Sequence, residues 1–102
     1  KAVRAYIVRL VHGTRNHPDI KFGASPRASR SLYQGAKSYA AMQGRDYVIP
    51  EDVQAIWEPI TAHRIILTNE AKYSKKTASG ILQQIITDTQ AEAADEELLN
   101  GK

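Results

Sequence analysis

The sequence has no cysteine, a single tryptophan, phenylalanine and methionine, and no long apolar run. Without cysteine, a disulfide scaffold or a zinc site built on thiolates is impossible. The longest apolar runs, such as Ile65–Leu67, are far shorter than the roughly 20 residues that cross a bilayer. No signal peptide is visible either. We therefore expect a cytoplasmic protein without a membrane-embedded segment.

Familiar catalytic and metal-binding motifs are also missing. The sequence has no Gly-rich loop ending in Gly-Lys-Ser/Thr, no zincin spacing and no Gly-x-Ser-x-Gly elbow. His12, His17 and His63 lack the i, i+4 spacing of helical metal ligands. Glu51 and Asp52 are adjacent, so they point to different sides of a helix, and helix-start electrostatics explains both. No catalytic or metal-binding residue is predicted, and this chain alone is not expected to be an enzyme.

Length and charge indicate one small domain with an uneven surface. The 102 residues, of which 42% are hydrophobic and 25% charged, suit a single globular unit. Residues 1–76 carry 13 Lys/Arg and 6 Asp/Glu, whereas residues 77–102 carry 1 and 5. A basic body is compatible with nucleic acid, with a nucleotide, or with a merely solvated surface. Because the chain begins at Lys1 and enters a helical pattern directly, we expect a piece of a longer protein.

The spacing of apolar residues predicts a mainly α fold, a four-helix bundle. The four helices are expected over Ala2 to about Asn16, Pro26 to about Gln43, Pro50 to about His63, and from Ser74 or Thr77 to about residue 90. Met42 is predicted to be buried, and Thr68–Tyr73 to be an irregular connection. Residues 1–90 are predicted to form the helical domain. The acidic, Ala/Glu-rich residues 91–102 are predicted to be a frayed or disordered tail.

Two short β-rich pieces flank the third predicted helix. Tyr47–Ile49 and Ile65–Leu67 are rich in β-branched or aromatic residues. A helical crossover of about a dozen residues separates them, which is long enough to connect parallel strands. The sequence therefore predicts a very short two-stranded parallel pair beside the helices.

The stretch that begins at Gly23 combines several features of an anion site. Gly23 and Ala24 leave room for a ligand, Ser25 stands at an N-cap position, and Pro26 suits the first position of a helix. Arg27 follows in the first turn, beside free N–H groups and the positive end of the helix dipole. This corner is predicted to face a phosphate. A solvated arginine at an ordinary helix start is the alternative interpretation.

A second alternative is a freestanding basic helical domain that binds nucleic acid. Its candidate contacts are Arg27, Arg30, Lys37, Arg45 and Arg64. Few aromatic residues are interleaved with them, and no helix shows the dense basic face of a recognition helix. Nucleic acid is therefore ranked behind a nucleotide as the partner.

Several segments, taken in order, resemble the C-terminal lid domain of MoxR-type AAA+ ATPases. The matching segments are Tyr6–Val11, Thr14-Arg15, His17-Pro18, Gly23–Ala28, Gly44–Val48, Pro50–Val53 and His63–Ile65. Together they cover about residues 6–67. The family usually has a small hydroxyl residue where this chain has Ile49, so we expect the side-chain N-cap to be missing at that helix.

This resemblance implies a function for the corner. In the family, the arginine at the position of Arg27 is the sensor 2 residue, which contacts the terminal phosphates of ATP bound with Mg²⁺ on the preceding αβα domain. Gly23, Ala24, Ser25 and Pro26 would form the supporting, nucleotide-facing loop. The resemblance further implies an ATPase that assembles as a homo-oligomeric ring, a hexamer. It would act as a chaperone-like machine on partner proteins, among them proteins with a von Willebrand factor A domain.

We predict that the isolated chain binds ATP only weakly. One arginine and one helix start supply only a few kcal/mol before ordering costs are met, so binding is expected to be weak or not detectable. Isothermal titration calorimetry of the 102-residue chain with Mg-ATP measures this directly. A submicromolar complex would contradict the expectation.

Overall fold

The computed structural model describes residues 2–100, and the side chains of residues 2–90. In chain order its elements are α1 (Ala2–Asn16), β1 (Ile20–Phe22), α2 (Pro26–Met42), α3 (Pro50–Thr61), a 3₁₀ turn (Ala62–Arg64), β2 (Ile66–Leu67), α4 (Asn69–Tyr73) and α5 (Ala78–Asn100). The mainly α architecture is confirmed. Among these helices, none is both long enough and apolar enough to cross a membrane.

The helix starts follow local sequence signals. Pro26 and Pro50 open α2 and α3 as predicted, since proline has the helical φ and lacks only an N–H that would be unpaired there. Thr77 precedes α5, and its hydroxyl accepts the N–H of Gly80 at 3.1 Å. Helix α5 continues to Asn100, across the predicted boundary at residue 90. That boundary stays a prediction, and residues 101–102 lie outside the described residues.

The connection over residues 68–73 is helical rather than irregular. Thr68 caps α4, because its hydroxyl accepts the N–H of Ala71 at 3.0 Å, and Ala71 is buried. A helix of one and a half turns has no apolar period that a sequence pattern can reveal. The described residues 2–100 therefore contain five α-helices, one more than predicted.

The core lies where the apolar faces of α1, α2, α3 and α5 meet. Its buried members include Ile7, Leu10, Val11, Leu32, Val53, Trp57, Ile81, Leu82, Ile85 and Ile86. Trp57 on α3 is 1% exposed, and its indole N–H donates to the carbonyl oxygen of Leu82 on α5 at 3.0 Å. This bond satisfies the one polar atom of a large buried side chain, so α3 and α5 are held together by a specific contact as well as by packing.

Small residues bring α2 close to α3. Ala28, Ala36 and Ala40 are 0–2% exposed. A Cβ on Gly35 would lie 2.7 Å from Cδ1 of Ile60, so the glycine is used for helix packing. Met42 is 80% exposed, and the prediction that it is buried is wrong. It lies two residues beyond the buried Ala40, which places it on the opposite side of α2.

The predicted parallel pairing of Tyr47–Ile49 with Ile65–Leu67 is wrong. Strand β2 pairs instead with β1, and the two strands are antiparallel. The register pairs Ile20 with Leu67 and Phe22 with Ile66. Just before this pair, Thr68 N–H donates to the carbonyl oxygen of Asp19 at 2.9 Å, which extends the contact by one bond.

In place of a strand, the segment Tyr47–Ile49 leads into α3 beside an ion pair between Arg45 and the buried Asp52. The Asp52 carboxylate accepts the N–H of Ile49 at 2.9 Å, so this donor is used at the start of α3. The same carboxylate accepts two bonds from Arg45, from Nη1 to Oδ2 and from Nη2 to Oδ1, both 2.7 Å. The Asp52 side chain is 1% exposed. Ile49 has no side-chain cap, as predicted, and Asp52 compensates by binding its backbone.

The pairing sets the protonation behaviour of this carboxyl. The hydrogen bonds from Arg45, together with the bond from Ile49 N–H, hold the pKa of Asp52 below its usual value of 3.8 although burial opposes this. As the pH falls, the unfolded chain therefore takes up the proton before the folded chain does. The stabilisation is complete above about pH 3.8 and is lost as the pH drops further, through the folded pKa.

We predict that Asp52→Asn lowers the free energy of unfolding at neutral pH and flattens its decline below pH 3.8. Urea unfolding at a series of pH values measures both effects. Asp46→Asn, at an exposed position in the same connection, is the control. Equal pH slopes for the two variants would show that Asp52 does not govern the acid range.

Candidate functional site

The predicted corner lies between β1 and α2 and packs against the last turn of α1. A Cβ on Gly23 would come within 2.8 Å of backbone atoms of Thr14 and Arg15. No side chain fits there without moving backbone, so glycine is required for this close approach. The space that the glycine leaves is thus filled by α1 of the same chain.

Two side chains of α1 hold both backbone polar groups of Ala24. Thr14 is fully buried, and its hydroxyl accepts the Ala24 N–H at 3.0 Å while donating to the carbonyl oxygen of Val11 at 2.6 Å. The Nε of Arg15 donates to the carbonyl oxygen of Ala24 at 3.1 Å. Ala24 is itself 1% exposed. The corner is therefore fixed to α1 by two hydrogen bonds, the buried one from Ala24 N–H to Thr14 and the partly buried one from Arg15 to the Ala24 carbonyl oxygen.

Sequence reasoning assigned no role to Thr14 and Arg15 in the corner. One signal was present, because Thr14 follows Leu10 and Val11 at the i+4 and i+3 positions on the apolar face of α1. A hydroxyl on a buried face needs partners, and one of them lies ten residues further along the chain. Arg15 gave no comparable signal, since an exposed arginine near a helix end is common.

Helix α2 starts at the corner without a side-chain cap. Ser25 occupies the N-cap position with φ −78° and ψ 168°, but its hydroxyl makes no capping hydrogen bond. In this turn, the N–H of Ala28 donates to the backbone carbonyl oxygen of Ser25 at 2.9 Å. The first turn of α2 therefore retains much of the positive potential of an uncapped helix start.

Arg27 projects from this first turn and is exposed. Among the residues whose side chains the structure describes, its guanidinium has no hydrogen-bond or ion-pair partner. Arg15 and Arg45, by contrast, are bound to Ala24 and Asp52. The corner thus presents one unneutralised guanidinium at the positive end of a helix, on a rigid base. Such an arrangement suits a phosphate group.

Other candidate chemistry is not assembled in the described part of the chain. Within residues 2–90, no three side chains of His, Cys, Asp or Glu come together as a metal site. Of the five basic residues considered for nucleic acid, Arg45 is bound to Asp52, and Arg64 donates from Nε to the carbonyl oxygen of Ile60 at 3.0 Å. Arg27, Arg30 and Lys37 remain, and all three are exposed on α2.

Comparison with known protein families bears on the same region. The family described as AAA lid domain matches residues 12–85, which include the corner, the α1 residues that hold it and both members of the Arg45–Asp52 pair. The chain is an AAA lid domain.

Relatives narrow the family further. The lid domain is 40% identical over 86 residues to protein YeaC of Bacillus subtilis, covering 84% of this chain and 27% of YeaC. It is 37% identical over 90 residues to the chaperone MoxR1 of Mycobacterium tuberculosis, covering 79% of this chain and 24% of MoxR1. The predicted membership of the MoxR-type lid domains is confirmed.

A solved structure supports the fold. A crystal structure from Cytophaga hutchinsonii, of a protein described as a candidate ATPase, superposes with a TM-score of 0.81 at 34% identity. The superposition covers 85% of the lid domain and 29% of that protein. The lid domain thus spans about a quarter of the length of the proteins it matches.

We predict that Thr14→Val destabilises the lid domain by about 1–3 kcal/mol, because it leaves the buried N–H of Ala24 without an acceptor. Thr14→Ser keeps the hydroxyl and loses one methyl group, which costs about 1 kcal/mol or less. Chemical unfolding measures the difference, and hydrogen exchange at the Ala24 amide should be faster only in the valine variant. Equal stability and equal exchange in the two variants would show that the hydroxyl does not hold the corner.

Proposed function

We propose that this lid domain belongs to an ATPase and that Arg27 is its sensor 2 residue, contacting the terminal phosphates of ATP bound on the preceding αβα domain of the same protein. One observation supports this most. Arg27 is exposed and unpaired among the described side chains, yet the backbone three residues before it is held rigidly to α1. A residue that reports on a ligand of another domain needs both properties.

The chemistry of the guanidinium explains how hydrolysis would be sensed. Arg27 can donate two parallel hydrogen bonds to phosphate oxygens, and these bonds are strong because both partners are charged. Loss of the γ-phosphate removes charge and acceptor oxygens together. The contact therefore differs between the ATP and ADP states, and this difference would shift the orientation of the lid.

The hydrogen bonds that Thr14 and Arg15 make to Ala24 would transmit that shift. Arg27 belongs to α2, while Thr14 and Arg15 belong to α1, and Ala24 joins them. A displacement at Arg27 would accordingly move both helices together rather than bend the corner alone. Of the predicted loop Gly23, Ala24, Ser25 and Pro26, the exposed Ser25 and Pro26 would face the nucleotide, while Gly23 and Ala24 would hold the loop against α1.

The remaining parts of the nucleotide site are assigned to the upstream domain. ATP and Mg²⁺ would bind there, because the described side chains of this lid contain no cluster of carboxylate or imidazole groups for a metal. Arg27 and the adjacent first-turn N–H groups are the groups of this chain that would face the phosphates. The sequence has no P-loop of its own, which agrees with this division.

We extend the proposal to assembly and partners on the basis of the family. MoxR1 is designated a chaperone, and we propose a chaperone-like role in maturing or remodelling partner proteins, including proteins with a von Willebrand factor A domain. The full-length protein would assemble as a homo-oligomeric ring, a hexamer, in the cytoplasm. Lid movement would then couple hydrolysis in one subunit to the shape of the ring.

We predict that Arg27→Ala in the full-length protein lowers kcat for ATP hydrolysis at least about tenfold, since it removes a charged contact to the reacting phosphate. Steady-state phosphate release measures kcat. Arg64→Ala removes an exposed arginine from another element and is the control.

A conservative variant separates charge from geometry. Arg27→Lys keeps the charge but cannot form the bidentate contact, so its kcat should fall between those of the wild type and the alanine variant. Circular dichroism of each 102-residue variant checks that the lid still folds. A folded Arg27→Ala variant with unchanged kcat would refute the sensor role.

A further inference from the structure

A second basic surface lies between α1 and α2, apart from the corner. It is a groove of about 480 Å³, and we call it the α1–α2 groove. Its main lining residues are Arg4, Ile7 and Val8 of α1 and Arg30, Tyr33 and Lys37 of α2. Ile7 is buried at its base, and Val8 is 57% exposed. The groove therefore has an apolar base and charged walls.

The charge of the groove is of one sign. Its lining contains three cations, Arg4, Arg30 and Lys37, and no carboxylate. None of the three has an ion-pair partner among residues 2–90. Arg4 lies 4.9 Å and Lys37 5.5 Å from the centre of the Tyr33 ring. The ring holds two like charges near each other, which favours an acidic ligand with apolar side chains.

The sequence contains a segment with that chemistry. Residues 91–100 carry four carboxylates, the apolar pair Leu98-Leu99 and no basic residue. Their backbone continues α5 as a helix. The charge and the apolar content of this segment match the groove.

We propose that the α1–α2 groove binds the acidic end of α5 from a second copy of this chain. The same molecule cannot supply it without breaking α5, because α5 has neither glycine nor proline between Ile81 and Asn100. Its packed half lies against the side of α1 that carries Gly13, whose Cβ would be 2.9 Å from Cγ2 of Ile85. Arg4 and Val8 lie on the opposite side of α1.

Such a contact joins two different surfaces, the groove of one copy and the α5 end of the next. Repeated contacts of this kind run head to tail and give a closed ring or an open chain, depending on the rotation at each step. The inference goes beyond the sensor role of Arg27 and uses none of its residues. Failure of one would leave the other standing.

A nucleic acid is the competing ligand for a basic groove. Proteins that bind single-stranded nucleic acid hold its bases by stacking them on aromatic rings. Tyr33 is the only aromatic ring of this lining and is already stacked by two cations. The apolar base formed by Ile7 and Val8 also offers nothing to a phosphate backbone. The observations therefore favour the acidic polypeptide, and nucleic acid becomes an outcome of the experiment.

The first measurement uses a fluorescent peptide of residues 91–102 and the intact 102-residue chain at low salt. Fluorescence anisotropy should show saturable binding, which is lost for a peptide whose four carboxylates are replaced by amides. The double variant Arg30→Glu, Lys37→Glu should weaken binding at least tenfold. The double variant Lys72→Glu, Lys75→Glu makes the same charge change at exposed positions elsewhere and should alter binding less than threefold.

Exchanging the charges of peptide and groove tests whether the double variant loses binding merely because it is unfolded. A peptide with Glu96→Lys and Glu97→Lys should bind the Arg30→Glu, Lys37→Glu chain more tightly than the unmodified peptide does. Sedimentation velocity of the intact chain should show association that disappears when the carboxylates of residues 92–97 are replaced by amides. These results together would establish the contact.

Three results would overturn the proposal. The peptide could fail to bind, or both double variants could weaken it equally, which would mean unspecific charge attraction. A single-stranded DNA oligonucleotide could instead bind the chain through Arg30 and Lys37 and displace the peptide, which would make the groove a nucleic-acid surface.

Discussion

The buried hydroxyl of Thr14 is the contact on which the functional part of the molecule depends. It donates to Val11 within α1 and accepts from Ala24 beyond β1, so a single oxygen joins two parts of the chain. Gly23 makes this possible, because any side chain there would collide with the α1 backbone. The start of α2, and with it Arg27, inherits its position from this junction. The position of the corner therefore depends on contacts with α1 as much as on the sequence of the corner itself.

The parts of the fold that local signals determine could be predicted from the sequence. Helix α1 has its predicted bounds, and Pro26 and Pro50 mark helix starts because the fixed φ of proline acts without help from distant residues. The strand pairing could not be predicted, since β1 and β2 are three and two residues long and are separated in the chain by α2 and α3. The candidate site also has a part that local sequence determines and a part that depends on distant residues. The place of Arg27 in the first turn of α2 follows from Pro26, whereas its phosphate contact is implied by the family resemblance and stays a prediction. The hydrogen bonds that hold Ala24 could not be predicted, because they depend on the chain's return to α1.

The basic residues of this chain differ in whether their charge is bound to a partner. Arg45 and Arg27 count equally in the net charge. Arg45 binds the buried Asp52 and organises the start of α3, whereas Arg27 has no partner among the described residues. A count of basic residues therefore overstates the surface available to an anion. The positive charge that remains on α2 belongs to two regions, the corner at Arg27 and the groove lined by Arg30 and Lys37.

Trp57 gives this molecule a built-in optical probe. It is the only tryptophan of the chain, it is shielded from water, and its N–H is bonded to Leu82. Its fluorescence emission therefore reports on one interface, that between α3 and α5, without labelling. Because Arg27 and its loop lie outside that interface, a change at the corner that leaves the bundle intact is silent in this signal, and opening of the bundle is not. Folding of the lid can thus be followed separately from the behaviour of its arginine.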